Sequence, residues 1–176
     1  MSVLKRNRKE SKLEVFHNFT ELRKDITDLL LRDFGYDSVK FYKKLQKKYG
    51  NRNFDELSES EKAAYNRDRK RHEAFILWYI KNERETVIKC LHDINEHMYI
   101  ANSIYPTCKE EYAERRVHQD ITIGQCYRLV QELQYAIETL PVDVNKYLRF
   151  SESIQKEIDL LKGWRKSDNK FKKNFE

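Results

Sequence analysis

Residues 80–105, IKNERETVIKCLHDINEHMYIANSIY, decide the fold class. Ile80, Arg84, Val87, Leu91, Ile94, Met98, Ala101 and Tyr105 recur at alternating steps of four and three. That spacing stacks one side chain per helical turn on a single seam, which needs a facing helix to cover it. Pro106 ends the run. Downstream, Arg116, Gln119, Ile123, Cys126, Val130, Leu133, Ile137 and Leu140 repeat the same rhythm until Pro141 stops it. Asp143 is placed to cap a further helix whose stripe is Tyr147, Phe150, Ile154, Ile158 and Leu161, with Gly163 marking its end. Upstream, residues 13–34 carry Phe19, Leu22, Ile26 and Leu29 at helical spacing, with Leu30 beside them, and Gly35 follows as a stop. The joints at 105–107 and 140–143 are short, so successive helices should lie side by side and antiparallel. The expected fold is all-α, an antiparallel up-down four-helix bundle.

Between the first and second bundle helices lies an insertion at about 36–74. Residues 37–49 read as a short helix, capped by Asp37 and ended by Gly50, with Phe41, Leu45 and Tyr49 on one side and five lysines on the other. Ser58-x-x-Glu61 and Thr107-x-x-Glu110 both match a capping box, each opening a helix. From Ser58 to Ile104 either one long helix runs through or the chain bends near Lys81–Asn82. The domain reading is a basic arm at 1–12, the bundle with its insertion at 13–164, and a basic tail at 165–176.

The composition excludes several classes. With 39% apolar residues the chain has enough to bury, so it is not a disordered polymer. Four Gly and two Pro are too few for a many-turned β fold. No apolar run is long enough to span a membrane, and the N-terminus lacks the apolar stretch of a secretion signal, so a cytoplasmic location is expected. Cys90, Cys108 and Cys126 form no Cys-x-x-Cys pair and read as small apolar side chains in a reducing compartment. The net charge is +6 and lies on the ends: residues 1–12 carry five basic side chains and one acidic, residues 162–176 six basic and two acidic. Basic segments flanking a near-neutral body suit a phosphate backbone, though solubilising tails have the same composition. The candidate nucleic-acid-binding residues are therefore Lys5, Arg6, Arg8, Lys9, Lys162, Arg165, Lys166, Lys170, Lys172 and Lys173. Trp164 and Phe171 sit among the last of these. Stacking on unpaired bases is open to both, but Trp164 reads better as a cap on the bundle end.

Candidate catalytic constellations are weak. Di-iron bundles need Glu-x-x-His twice, and only Glu14-x-x-His17 fits; His92 and His97 are five apart and point to different faces. No glycine-rich phosphate loop occurs, and no metal or cofactor is implied. Arg67-Asp-Arg-Lys-Arg-His72 has the Arg-x-x-x-x-His spacing of the helical HEPN-type ribonucleases, with His72 as a base and Arg67 as a phosphate holder. A solvated basic helix face accounts for it as well. Arg84 and Arg116 occupy seam slots that should be apolar, so each must snorkel out or pair with a carboxylate.

The run from Asn82 through Ile100-Ala-Asn-Ser, then Lys156-Glu-Ile-Asp-Leu-Leu-Lys-Gly-Trp164, resembles the accessory variability determinant proteins of diversity-generating retroelements. Arg84, Ala101, Asn102, Glu157, Ile158, Gly163 and Trp164 match that family's motif positions, in order, over about 13–35 and 76–170. The chain departs from the family in its insertion of some 40 residues and in Asp159, where the family carries glycine. Four-helix-bundle proteins encoded by intervening sequences of bacterial 23S ribosomal RNA genes resemble the same core less closely. The resemblance implies a non-enzymatic subunit, a pentameric ring of four-helix bundles, that binds the element's reverse transcriptase and template RNA. A helical ribonuclease and a pure protein scaffold are the alternatives.

Overall fold

A computed structural model describes residues 14–172; Lys5, Arg6, Arg8, Lys9 and Lys173 lie outside the described residues. Among those described, the chain is all-helical, with no strand. Helix α1 spans Glu14–Leu31 and buries Val15, Phe16, Phe19, Leu22, Ile26, Leu29 and Leu30, the amphipathic stripe that the spacing predicts. A 3-10 turn at Asp33–Gly35 ends α1, with Asp33, Phe34 and Gly35 all at positive φ. Phe34 tolerates this because its ring is fully buried and its carbonyl accepts the Tyr147 hydroxyl at 2.6 Å.

Helix α2 spans Ser38–Lys48, capped by the Asp37 carboxylate on the Val39 and Lys40 amides. Helix α3 runs from Glu59 to Ser103, opened by the Ser58–Glu61 capping box. No Gly or Pro interrupts its 45 residues, so it passes Lys81–Asn82 without a break and extends about 67 Å. Helices α4 (Lys109–Thr139), α5 (Asn145–Ser167) and the short α6 (Asn169–Lys172) complete the chain.

The long helices pack in sequence around one core: α3 along α4, α4 on α5, α5 on α1, and α1 back on α3. At one end of this body the start of α1 meets the end of α5: Glu14 pairs with Lys156 at 3.2 Å, and the Phe16 ring packs on Trp164 and on Tyr99 of α3. We call this the chain-end pole. At the far end, Tyr79 of α3 packs on Tyr135 near the end of α4, and Arg84 reaches the turn after α1. The first turns of α3 lie beyond that end, and α2 packs on them in the same direction as α1. Phe41 stacks on His72 with ring centroids 3.7 Å apart, Lys48 pairs with Asp68 at 2.6 Å, and Tyr42 donates to Glu73 at 2.7 Å. The inserted segment is thus a helical hairpin built on an extension of α3, hereafter the arm.

The sequence expectation needs four corrections. Gln119, Cys126, Leu133 and Leu140 of the expected α4 row are buried, but Arg115, Thr122, Leu129 and Ala136 take the places expected for Arg116, Ile123, Val130 and Ile137. Two adjacent rows compete on that helix. Ile123, Val130 and Ile137 pack at the flank, while Arg115 finds enough acceptors to be buried. On α3, Glu83 is buried and Arg84 is half-exposed, bonded to the Leu30 carbonyl at 3.1 Å and Asp33 at 2.5 Å. Gly163 does not end α5, because Trp164, anchored on Phe16, carries the helix on to Ser167. The second expected capping box does not form: Cys108 stands at the helix start without a side-chain cap, and Glu111 rather than Glu110 accepts from the Thr107 amide at 2.7 Å.

Candidate nucleic-acid interface

The chain-end pole is organised by one buried ion pair. Arg115 donates from Nε to Asp168 at 2.6 Å, from Nη2 to the other Asp168 oxygen at 3.3 Å, and from Nη1 to the carbonyls of Ala101 and Ile104, both at 2.7 Å. Gln119 adds a 2.7 Å bond to Asp168. Asp168 is 2% exposed, so one carboxylate ties the ends of α3, α4 and α5 together out of water. The guanidinium also lies over the Trp164 ring at 5.2 Å. Neighbouring Arg116 donates to the Arg165 carbonyl at 2.7 Å and lies over the Tyr112 ring.

This hub sets the fate of the sequence-predicted tail residues. Trp164 is buried in the pole, as a cap on the body. Phe171 packs edge-on against Tyr105, with Arg115 over its face. Trp164 is thus withdrawn from bases, whereas Phe171 is half-buried. Arg165 is neutralised by Asp120. Lys162 is exposed and keeps its charge while bonding the Tyr127 hydroxyl at 2.7 Å. Lys166 and Lys170 are exposed with no ion-pair partner among the described residues, Lys170 lying over Phe171. Lys172 is exposed on α6. A groove of about 1040 Å³ runs beside α5 at the same end, lined by Glu14, Glu152 and Asp159 against the single cation Lys156, so phosphate is disfavoured inside it.

The remaining motif residues are structural. Ala101 is fully buried with its carbonyl on Arg115, Ile158 is core, and Asn102 is exposed. Glu157 is wholly buried. Asn18 of α1 donates to one carboxylate oxygen at 2.8 Å, and the other has no partner. Burial pushes its proton affinity up, to a pKa of about 7. Glu83 is raised to about 7 as well, by burial and then by the neighbouring Glu132 carboxylate.

The other sequence candidates separate. Arg67 is exposed and lines no cleft with His72; five residues apart on a continuous helix, they point about 140° apart. His72 is held below the usual imidazole range by burial and by Lys44. His92 meets Arg23, whereas His97 faces His118 of α4 with their Nδ1 atoms 2.7 Å apart. Among the described residues no group of three His, Cys, Asp or Glu is placed to hold a metal, and no helix is long and apolar enough to cross a membrane.

Sequence reading missed Arg115, Asp168 and His118. The signal for Asp168 was a lone acid in a basic run, four residues past Trp164. No protein-family description, curated protein or solved structure matches this chain.

Proposed function

We propose that the chain is a non-enzymatic accessory subunit of a diversity-generating retroelement that binds the element's reverse transcriptase and its template RNA. This reading takes the four long helices as an antiparallel up-down bundle, with the arm as its insertion and a homo-oligomer, a pentamer by resemblance, as the working form. One observation carries the RNA part: the first described residue, Glu14, and the cations of α5 and α6 meet at the same pole. Lys162, Lys166 and Lys170 are exposed at that end, and with the basic residues at both ends of the sequence they suit a phosphate backbone. The hub beside them is buried and hydrogen-bonded across three helices. The motif residues Ala101, Glu157, Ile158 and Trp164 belong to the buried framework of this body, which is consistent with a shared fold as the basis of the resemblance.

Two measurements test it. A labelled structured RNA should shift on a native gel, uncut, with affinity falling steeply as salt rises. A reverse transcriptase of the same element, co-expressed with the chain, should copurify with it. An RNA that is shortened, or is unshifted at low salt, would sink the RNA role, and a polymerase that does not copurify would sink the retroelement role.

A further inference from the structure

The arm carries a second cationic surface, remote from the chain-end pole. Residues 38–78 hold eleven basic and six acidic side chains, so the central part of the chain is not evenly near-neutral. The acids are mostly spent inside the arm: Asp68 on Lys48, Glu73 on Tyr42 and Arg69, Glu61 on Arg52 and Glu59 on Lys62. What remains is organised. Arg67, Lys70, Arg71, Ala74, Leu77, Trp78 and Lys81 fall at helical spacing on one face of α3, and every one of them is exposed. Arg67, Lys70 and Arg71 have no ion-pair partner among the described residues, and their mutual spacings of three and four repel. That face costs the isolated helix stability and gains it nothing. Trp78 is 60% exposed, with the Phe75 ring 5.9 Å away. Arg71 and Phe75 also line a cleft of about 370 Å³ between α2 and α3, where Phe41 and His72 form a stacked floor. Lys44 of α2 sits close enough to disfavour protonation of His72.

We infer that this face of the arm binds single-stranded RNA, with Lys44, Arg67, Lys70 and Arg71 on the phosphates and Trp78 and Phe75 stacking on bases. Rows of cations interleaved with exposed aromatic rings match a flexible polyanion whose bases are free, because each ring accepts any base and each cation releases a counterion. A duplex offers no free base to Trp78. The choice of RNA as the polymer rests on the reading above; the location does not.

The experiment uses the full chain and a labelled single-stranded RNA of about 20 nucleotides, long enough to cover a typical single-strand site. The triple variant Arg67→Gln, Lys70→Gln, Arg71→Gln should bind about tenfold more weakly at moderate salt, and its log–log salt slope should fall by roughly two. Trp78→Ala should weaken binding by fivefold or more, by rough expectation for one lost stacking contact, and leave the slope unchanged. RNA should quench the emission of exposed Trp78 in the parent, leaving the signal of buried Trp164. All these side chains face solvent, and far-ultraviolet circular dichroism should be that of the parent. The matching pole variant is Lys162→Gln, Lys166→Gln, Lys170→Gln. If only the pole variant loses affinity, the arm inference falls and the pole reading stands; if only the arm variants lose it, the reverse holds. Parent-like binding by Trp78→Ala, equal affinity for a duplex, or loss by the arm variants only towards anionic vesicles would each overturn the inference.

Discussion

The two ends of the molecule handle charge in opposite ways. At the chain-end pole, Arg115 and Asp168 are buried and each has several partners, so their charges are consumed in joining three helices. On the arm, Arg67, Lys70 and Arg71 are exposed and unpaired, so their charges remain available. The same residue type is a structural bolt in one place and a free contact in the other. Arginine content alone does not say which, because the difference lies in the acceptors that the fold brings to it.

Arg115→Ala tests that contrast most severely. It strips a buried carboxylate of its cation and leaves the Ala101 and Ile104 carbonyls without their donor. A destabilisation of about 3–5 kcal/mol is expected in denaturant unfolding. Arg71→Ala, on the arm, should change stability by less than about 0.5 kcal/mol. Similar losses for both would remove the distinction.

The pH dependence comes next. Glu157 has a folded pKa raised to about 7 from 4.5. The native state therefore holds a proton that the unfolded chain has released between these values, and stability falls as pH rises across that window. Glu83 acts in the same direction over the same range. Glu157→Gln keeps an acceptor for Asn18 and carries no charge, so it should be the more stable protein at pH 8 by about 3 kcal/mol, with the gap closing towards pH 4. Thermal unfolding at a series of pH values measures it. A parent whose stability rises with pH between 5 and 7 would contradict the assignment.

Body and arm should also open separately. Leu45 is buried between α2 and α3, away from the main core. Leu45→Ala should lower protection of arm amides against hydrogen exchange by roughly 2 kcal/mol, the low end for a buried leucine, while amides around Ile94 and Leu129 stay within about 0.5 kcal/mol. A uniform loss would mean that the arm and body unfold as one unit.

The helical class, the stripes of α1 and α5, and the Asp37 and Ser58 caps were legible because each is a local pattern. The phase of α4 was not. Two rows one residue apart, Ile123–Val130–Ile137 and Thr122–Leu129–Ala136, flank the shared Gln119, Cys126 and Leu133, and the burial of Arg115 on Asp168, some 50 residues away, goes with the second. The pole cations were legible as composition and Arg67–Arg71 as a basic helix face, but the rings beside that face, Phe75 and Trp78, were not. The segment is basic throughout, and which cations stay unpaired is decided only when α2 packs on α3 and engages Asp68 and Glu73.

Gly163 gives a small effect, and like Glu157→Gln a stabilising one. It lies within α5 at an ordinary helical φ, and a Cβ built there meets nothing within 4 Å. Glycine in a helix costs about 0.5–1 kcal/mol relative to alanine through the entropy of the unfolded chain, so Gly163→Ala should stabilise the isolated protein by about that amount. The residue borders the acidic groove beside α5, one position from Lys162. If the stabilised variant binds structured RNA as the parent does, the bare backbone at that point serves no contact. If it gains stability but loses RNA or polymerase binding, the missing side chain is room for a partner, and the chain-end pole is then an interface along α5 as well as a platform for its cations.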